Sequence, residues 1–249
     1  MANHFPLRLI GSRMLAPSVR HLEFARDDGL PLDFIPGQFI QVHFNYPDST
    51  PTKRSYSLAT VHDHALGPGE AVEIAVSYVA GGAATALFTA LDEGQQIQAS
   101  GPYGRFCLGA SDSNARYLLM GTGTGVTPYR AMLPQLAQMM ATREVEVVLL
   151  FGARTPAELI YGEDFYAFAR AHPRFRFVPC FSRELPADAH ADVRPGYVQD
   201  ALAEFAPNAA GDVAYLCGNP NMVDAAFEAL KSTGLPVPHI RREKYVSSK

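Results

Sequence analysis

The sequence contains no tryptophan and only three cysteines among its 249 residues. The cysteines, Cys107, Cys180 and Cys217, are odd in number and far apart, which predicts neither a disulfide framework nor an iron-sulfur cluster on this chain. No run approaches about 20 apolar residues, and no charged segment followed by an apolar one opens the sequence, so we expect a cytoplasmic chain without a membrane anchor. Lys and Arg number 21 against 25 Asp and Glu, and the net charge of −4 excludes a general attraction to nucleic acid or to anionic membranes.

A possible set of metal ligands lies at His62, Asp63 and His64. Adjacent side chains of an extended segment point to opposite faces, so these three cannot converge easily on one ion. We therefore predict a polar turn there and no metal site.

The first half of the chain is predicted to be a barrel. A length of 249 residues favours two domains. Up to about residue 110, apolar residues such as Ile40, Val42 and Phe44 alternate with polar ones, which predicts half-buried strands. Several short strands with one small helix over 85–91 favour a closed antiparallel β-barrel, because closure removes exposed strand edges. This domain is assigned to residues 1–110.

The second half, assigned to residues 111–249, alternates strands with helices. The alternating segments are "YLLM", "PYRAMLPQLAQMM", "VEVVLLFGA", "AELIYGEDFYAFARA", "FRFVPCF", "YVQDALAEFA", "VAYLCG" and "MVDAAFEALKSTG". This order predicts an α/β domain with a parallel sheet. Ligands of such sheets bind beyond the carboxyl ends of the strands, where the strand order reverses.

A glycine-rich loop follows the first strand of that half. It reads "GTGTGVTPYRAML", with Thr127 placed to cap a helix and Pro128 in the first turn. Glycines there permit a tight turn and let backbone N–H groups approach a diphosphate. The candidate residues of this loop are Gly121, Thr122, Gly123, Thr124 and Gly125. The spacing is not that of the Rossmann motif, so a purely structural strand-to-helix turn stays open.

Two arginines end neighbouring strands of the second half. Arg154 stands where an NAD-specific site usually has an acid, and Ser182 and Arg183 end the next strand. Two guanidinium groups and a hydroxyl suit the 2′-phosphate of NADP, with a preference over NADH of roughly 10² to 10⁴. Either arginine alone would more often be a solvated surface residue.

The stretch "RSYS", residues 54–57, is the candidate flavin segment of the barrel. Arg54 can bind a phosphate with two hydrogen bonds, and Tyr56 offers a flat face for an isoalloxazine ring. "GGAAT", residues 81–85, opens the small helix and offers Thr85 and backbone N–H groups to the same phosphate. Without the motifs of the second half, barrel packing of Tyr56 and solvent exposure of Arg54 would be the favoured interpretation.

Three motifs in this order resemble the ferredoxin-NADP(+) reductase family, namely "RSYS", "GTGTGVTP" and "CGNPNMV" at residues 217–223. The resemblance covers nearly the whole chain. It implies an FAD-binding antiparallel barrel followed by an NADP-binding α/β domain, with the active site and flavin between them. The ending "REKYVSSK" is similar to that of the bacterial FAD-containing branch, in which a near-terminal aromatic covers the flavin and a short tail runs on toward the adenosine.

The resemblance also implies roles for individual residues. Ser57 would hydrogen-bond flavin N5, Cys217 would pack against the nicotinamide, and Tyr245 would cover the second flavin face. Simple packing at a strand end stays open for Cys217. The implied catalytic residues are Ser57, Cys217 and Tyr245. The implied FAD-binding residues are Arg54, Tyr56, Ser57, Val76, Tyr78, Gly82, Thr85 and Tyr245. The implied NADP-binding residues are Gly121, Thr122, Gly123, Thr124, Gly125, Arg154, Ser182, Arg183, Cys217 and Gly218.

The implied reaction is electron transfer between NADPH and a one-electron carrier such as ferredoxin or flavodoxin. We expect a monomer that binds neither nucleic acid nor membrane. One alternative is an NAD(P)H-dependent reductase serving an oxygenase, a quinone or free flavin. A second is a non-catalytic flavoprotein that senses redox state. Tyr197 stands where the family often has a further basic residue, which leaves the strength of the NADP preference open.

Overall fold

The computed structural model describes residues 3–109 and 112–246. These residues form two compact units. Within the described part of the chain, the first unit comprises residues 3–108 and 127–134, and the second comprises residues 109, 112–126 and 135–246. Among the described residues no helix is long and apolar enough to span a membrane.

The first unit is built on six antiparallel strands. These are β1 His4–Ala16, β2 Val19–Arg26, β3 Phe39–Asn45, β4 Pro51–Ser57, β5 Ala71–Ser77 and β6 Gln96–Tyr103, with helix α1 Ala83–Ala90 after β5. Their order in the sheet is β4-β3-β6-β1-β2-β5. An antiparallel bridge between Leu58 and Ile74 joins the segment after β4 to β5. The sheet therefore closes on itself, which confirms the predicted antiparallel barrel.

The alternation seen in the sequence places one face of each strand in the barrel core. Ile40 and Val42 of β3 are fully buried, and Phe88 of α1 joins the same cluster. In the antiparallel register, Ile40 pairs with Tyr56 and Val42 pairs with Arg54. Since directly paired residues share a face of the sheet, both candidate flavin side chains lie on the side of β4 that the core residues of β3 use.

The second unit is a parallel sheet with helices. Its strands are β7 Arg116–Thr122, β8 Glu146–Ala153, β9 Phe175–Phe181, β10 Arg194–Pro195, β11 Asp212–Gly218 and β12 Ile240–Lys244. The remaining helices among the described residues are α2 Thr127–Ala131, α3 Leu133–Thr142, α4 Gly162–Ala171, α5 Val198–Ala201 and α6 Pro220–Ser232. Short 3-10 turns lie at Gly123–Val126, Pro156–Glu158, Leu202–Phe205 and Val237–His239. This architecture confirms the predicted α/β fold.

The strand order β10-β9-β8-β7-β11-β12 reverses direction at β7. From β7 the chain proceeds outward through β8, β9 and β10, and then returns to β11 on the other side of β7. The carboxyl ends of β7 and β11, at Thr122 and Gly218, therefore flank the position at which open parallel sheets bind ligands.

Two local predictions were wrong. The single helix expected over "PYRAMLPQLAQMM" is broken between α2 and α3, because Pro134 has no N–H to continue the helical ladder. Arg130 holds α2 on the barrel by donating to the carbonyl of Ala59 at 2.6 Å and pairing with Glu73 at 2.5 Å. The second wrong prediction concerns the start of α2. Thr127 does not cap this helix, since its buried hydroxyl has no hydrogen-bond partner among the described residues.

Candidate active site

Arg54 of β4 is held in a fixed orientation by its neighbours. Its guanidinium donates to the Thr52 hydroxyl, to the Lys53 carbonyl and to the Tyr46 hydroxyl, each at 2.9 Å. The hydrogen bond from Arg54 lowers the pKa of Tyr46 below its ordinary value. A guanidinium has five N–H donors, so this anchoring leaves capacity for an anion. Tyr46 was not identified from the sequence, because it lies in the turn after β3, and the pairing of β3 with β4 brings it to Arg54.

Tyr56 and Ser57 lie at the end of β4. The Tyr56 ring is half-buried and meets the Phe88 ring edge-on, with the ring centres 5.3 Å apart. Burial raises the pKa of Tyr56 well above its ordinary value, so the phenol stays neutral. Ser57 is buried. One edge of Tyr56 thus does pack on the barrel core, as the alternative interpretation of the sequence expected.

The helix α1 begins at a turn that its own residues brace. The Val79 N–H donates to the Thr85 hydroxyl at 2.8 Å, and the Gly82 N–H donates to the Val79 carbonyl at 2.9 Å. Thr85 therefore holds the turn, while its hydroxyl hydrogen can still be donated. Val76 has its side chain in the barrel core, and Tyr78 is half-buried against the same core. Only the backbone of Val76 is available to a cofactor.

The glycine loop after β7 exposes its backbone. Gly123 adopts a left-handed φ of 54°, which an L side chain rarely tolerates. A Cβ atom at Gly123 would meet nothing within 4 Å, so open space lies over this point of the backbone. Thr124 continues the 3-10 turn that starts at Gly123. Such a turn presents N–H groups to an anion, as a diphosphate requires.

The loops after β7 and β11 pack directly against each other. A Cβ atom at Gly125 would overlap the Cys217 carbonyl oxygen and lie 2.5 Å from the Gly218 Cα. A Cβ atom at Gly218 would lie 2.6 Å from the Thr122 carbonyl oxygen, and Gly218 has a φ of 125°. The Asn219 N–H donates to the Thr122 hydroxyl at 3.1 Å. Both glycines are therefore required by the close approach of two backbones, and Thr122 fastens it.

Cys217 and Tyr245 come together at the same edge of the sheet. Strand β12 runs parallel to β11, and the Tyr245 N–H donates to the Gly218 carbonyl at 2.8 Å. Burial raises the pKa of the Cys217 thiol well above its ordinary value, and a side-chain hydrogen bond from Tyr245 acts in the opposite direction. The thiol is thus neutral at physiological pH. The predicted tail toward the adenosine comprises residues 246–249, of which only Val246 is among the described residues.

Glu243 completes this group and was missed in the sequence. It pairs in register with Cys217, and its side chain is half-buried. Burial raises the pKa of Glu243 to about 7. Glu243 stands two residues before Tyr245, and this spacing puts both side chains on one face of a strand. The spacing would have identified Glu243 only if a strand had been predicted here.

Arg154, Ser182 and Arg183 lie side by side at the ends of β8 and β9. The Ser182 N–H donates to the Ala153 carbonyl at 3.1 Å, and the Arg183 N–H donates to the Arg154 carbonyl at 3.0 Å. Tyr197 follows β10 at the same edge, and 60% of it is exposed. The structure therefore brings the two arginines and the serine together, and adds an exposed aromatic ring nearby.

The Arg154 side chain already has an acidic partner, Glu158. The Arg154 Nε donates to a Glu158 carboxylate oxygen at 2.8 Å, and the Nη2 donates to the other oxygen. The Arg154 backbone N–H also points to Glu158, at 3.2 Å. Glu158 was missed because it lies beyond the strand end, and the 3-10 turn Pro156–Glu158 brings it back.

Two family models match most of the chain. Residues 6–107 match an oxidoreductase FAD-binding domain, and residues 119–228 match an oxidoreductase NAD-binding domain. The chain is 35% identical over 251 residues to "Ferredoxin--NADP reductase B" of Sorangium cellulosum (strain So ce56), with 98% of each protein covered. It is 31% identical to the phenol hydroxylase P5 protein of Acinetobacter pittii (strain PHEA-2), of which it spans 67%.

A solved structure shows the same fold. The cytochrome P450 reductase GcoB of Amycolatopsis superposes with a TM-score of 0.84 at 32% identity, over 98% of this chain and 70% of that chain. The full-length match to the Sorangium protein, the two domain matches and the observed barrel and parallel sheet agree with one another. The chain therefore belongs to the ferredoxin-NADP(+) reductase family of FAD- and NAD(P)-binding oxidoreductases, which confirms the resemblance read from its three motifs.

Proposed function

We propose that this enzyme moves electrons between NADPH and a one-electron carrier such as ferredoxin or flavodoxin, by way of FAD. The observation that carries the proposal is the close approach of the glycine loop to Cys217 and Gly218 at the switch point of the parallel sheet, where Glu243 pairs with Cys217 and the Tyr245 N–H donates to Gly218. The Sorangium relative, named as a ferredoxin--NADP reductase and matched over its whole length, supports the choice of carrier. We assign residues 1–110 to FAD binding and residues 111–249 to NADP binding.

The residues of the barrel fit FAD. Arg54 would hold a phosphate with donors that Tyr46 and Thr52 leave unused, and the start of α1 would add backbone N–H groups. Tyr56 would support the flavin ring, and Ser57 would bond to its edge. FAD, when bound, accepts electrons in pairs and releases them singly. The contribution of these barrel residues is therefore to bind FAD and to orient its ring.

The residues of the parallel sheet fit a nicotinamide nucleotide. The open space over Gly123 suits a diphosphate, and the edge formed by Arg154, Ser182 and Arg183 suits a 2′-phosphate. Tyr197 offers an exposed ring on which an adenine could stack. The residue that directly follows β8 is not an acid, whereas an NAD-specific site usually has an acid there. The strand ends by themselves therefore favour NADPH over NADH.

Cys217, Glu243 and Tyr245 would shape the place where the nicotinamide lies. A neutral, buried thiol gives an apolar contact to an aromatic ring. Glu243, with a pKa of about 7, can hold or release a proton near neutral pH at its carboxyl oxygens. Tyr245 would cover the flavin until the nicotinamide displaces it, as expected from the sequence.

Replacement of Arg54 by Ala should weaken FAD binding about 10- to 100-fold, because one charge-assisted phosphate contact is lost. The dissociation constant of FAD, measured from the quenching of flavin fluorescence during titration of the apoprotein, checks this. Lys53→Ala is the matched control, since Lys53 is the exposed neighbour on the opposite face of β4. Equal losses in both variants would remove Arg54 from the phosphate site.

The carrier is tested by reoxidation of the reduced enzyme. After anaerobic reduction with NADPH, stopped-flow absorbance should show fast reoxidation by a ferredoxin or flavodoxin, and slow reoxidation by quinones and free flavin. A chain reduced by NADPH but reoxidised fastest by an oxygenase component would favour the second candidate. The phenol hydroxylase and cytochrome P450 relatives favour that candidate, although each extends beyond this chain. If NADPH leaves the flavin oxidised, a non-catalytic sensor becomes the better interpretation.

The expected cytoplasmic location and the monomeric state stay predictions. Size-exclusion chromatography with light scattering tests the second, with a mass of 27.1 kDa expected for the polypeptide.

A further inference from the structure

Arg154, the residue expected to bind the 2′-phosphate, is already paired with the carboxylate of Glu158. Both Arg154 donors that form a fork, Nε and Nη2, are directed to the two oxygens of Glu158. This is the geometry with which a guanidinium would bind a phosphate. The Arg154 side chain is 54% exposed and that of Glu158 is 25% exposed, so a nucleotide can reach the pair.

Glu158 is charged when the nucleotide arrives. The hydrogen bond from Arg154, supported at longer range by the charge of Arg183, holds the pKa of Glu158 below its ordinary value. Arg154, Arg183 and Glu158 therefore sum to one positive charge at this edge, where the arginines alone would give two. A phosphate monoester carries about −1.5 to −2 charges at neutral pH, so the carboxylate repels it.

Glu158 also supplies the group that NADH needs. In nucleotide-binding sheets an acid near the end of the second strand accepts a hydrogen bond from the ribose 2′-hydroxyl. No acid directly follows β8, but the turn Pro156–Glu158 returns a carboxylate to the backbone N–H of Arg154, one residue past that strand. A carboxylate only accepts hydrogen bonds, which suits a hydroxyl and opposes a phosphate.

We propose that Glu158 sets the discrimination between NADPH and NADH by acting as an internal counter-ion of Arg154. NADPH must replace the carboxylate on Arg154 with its 2′-phosphate, whereas NADH can use the pair as it stands. The enzyme therefore accepts both nucleotides, and its preference for NADPH is far smaller than two free arginines would give. This inference rests on the proposed function, since it concerns the nucleotide that reduces the flavin.

The test compares the wild type with Glu158→Gln, which keeps the shape of the side chain and removes its charge. The ratio of kcat/KM for NADPH to kcat/KM for NADH should rise about tenfold. The dissociation constant of adenosine 2′,5′-bisphosphate, measured by calorimetry, should fall by a similar factor, while that of 5′-AMP should not. The gain should shrink at high ionic strength, because the edge is exposed. The new Gln amide could itself form a hydrogen bond to Arg154. The same comparison is therefore made with Glu158→Ala, which has no such group.

Glu163→Gln is the matched control, since it removes an exposed carboxylate from the first turn of α4. An unchanged or lower ratio in both Glu158 variants, or an equal rise in the control, would overturn the inference. The proposed function fails in a different way, namely when neither NADPH nor NADH bleaches the flavin of the wild type. Bisphosphate binding is read without flavin chemistry, so the two failures are distinguishable.

Discussion

Gly125→Ala is expected to lower the free energy of unfolding by about 3 kcal/mol or more, because a methyl group has no room there. The new Cβ would overlap the Cys217 carbonyl oxygen and approach the Gly218 Cα to 2.5 Å. Both obstacles are backbone atoms, which cannot turn aside as a flexible side chain could. The loops after β7 and β11 must therefore separate, which would open the proposed nucleotide site.

The same variant should lose about 100-fold or more in kcat/KM for NADPH, since displacement of a positioning loop by one ångström costs about that much. Chemical denaturation and steady-state kinetics check the two effects. Gly211→Ala is the control, because its Cβ would lie at an ordinary 3.8 Å from the Ala115 Cβ. Near wild-type stability and activity of Gly125→Ala would show that the two loops do not hold each other.

The second large effect is expected at Glu243. A glutamate carboxyl ordinarily ionises near 4.5, and burial raises the pKa of Glu243 to about 7. The folded protein then binds a proton that the unfolded chain has released, so stability falls as the pH rises from about 4.5 to 7. The loss amounts to about 2 to 3 kcal/mol after allowance for partial exposure. Glu243→Gln should not show this loss, and should exceed the wild type in stability at about pH 8.

Urea denaturation at about pH 5 and pH 8, with FAD saturating, measures this difference. The pH profile of flavin reduction should lose its inflection near 7 in the same variant, if that carboxyl titrates in the nucleotide site. Glu146→Gln is the control, since Glu146 is exposed at the amino end of β8. Parallel stability profiles in wild type and Glu243→Gln would mean that the Glu243 carboxyl is not held in a buried state.

The features that the sequence predicted well are those written into neighbouring residues. Alternation around Ile40 and Val42 predicted barrel strands, and the glycines of residues 121–125 predicted the loop beyond β7. Cys217 was identified within its own motif and Tyr245 by its distance from the end of the sequence; the structure places the two together, and their roles stay predictions. Each of these signals lies within a few positions, where local conformation decides the pattern.

The features that were missed depend on how the backbone folds, and no pattern of neighbouring residues revealed them. Strand β12 was not predicted because only Ile240 of its five residues is buried, and pairing with β11 rather than alternation defines it. Glu243 was missed with it. Glu158 was missed because a turn, not the strand, brings it to Arg154. The NADP preference predicted from the sequence therefore counted the two arginines but not Glu158, the carboxylate that pairs with Arg154.

Within the part of the chain that the structure describes, strand β12 is also a border of its sheet and pairs only with β11. Open edges invite pairing with another chain, and charged side chains are the usual protection. Arg241, Arg242 and Lys244 supply that protection, and Arg241 is itself fastened to Asp112 at 2.6 Å. The strand that carries Glu243 to its place thus also carries charged side chains of the kind that disfavour pairing with a strand of another chain. We therefore expect apolar substitutions on the exposed positions of this strand to lower the solubility of the protein.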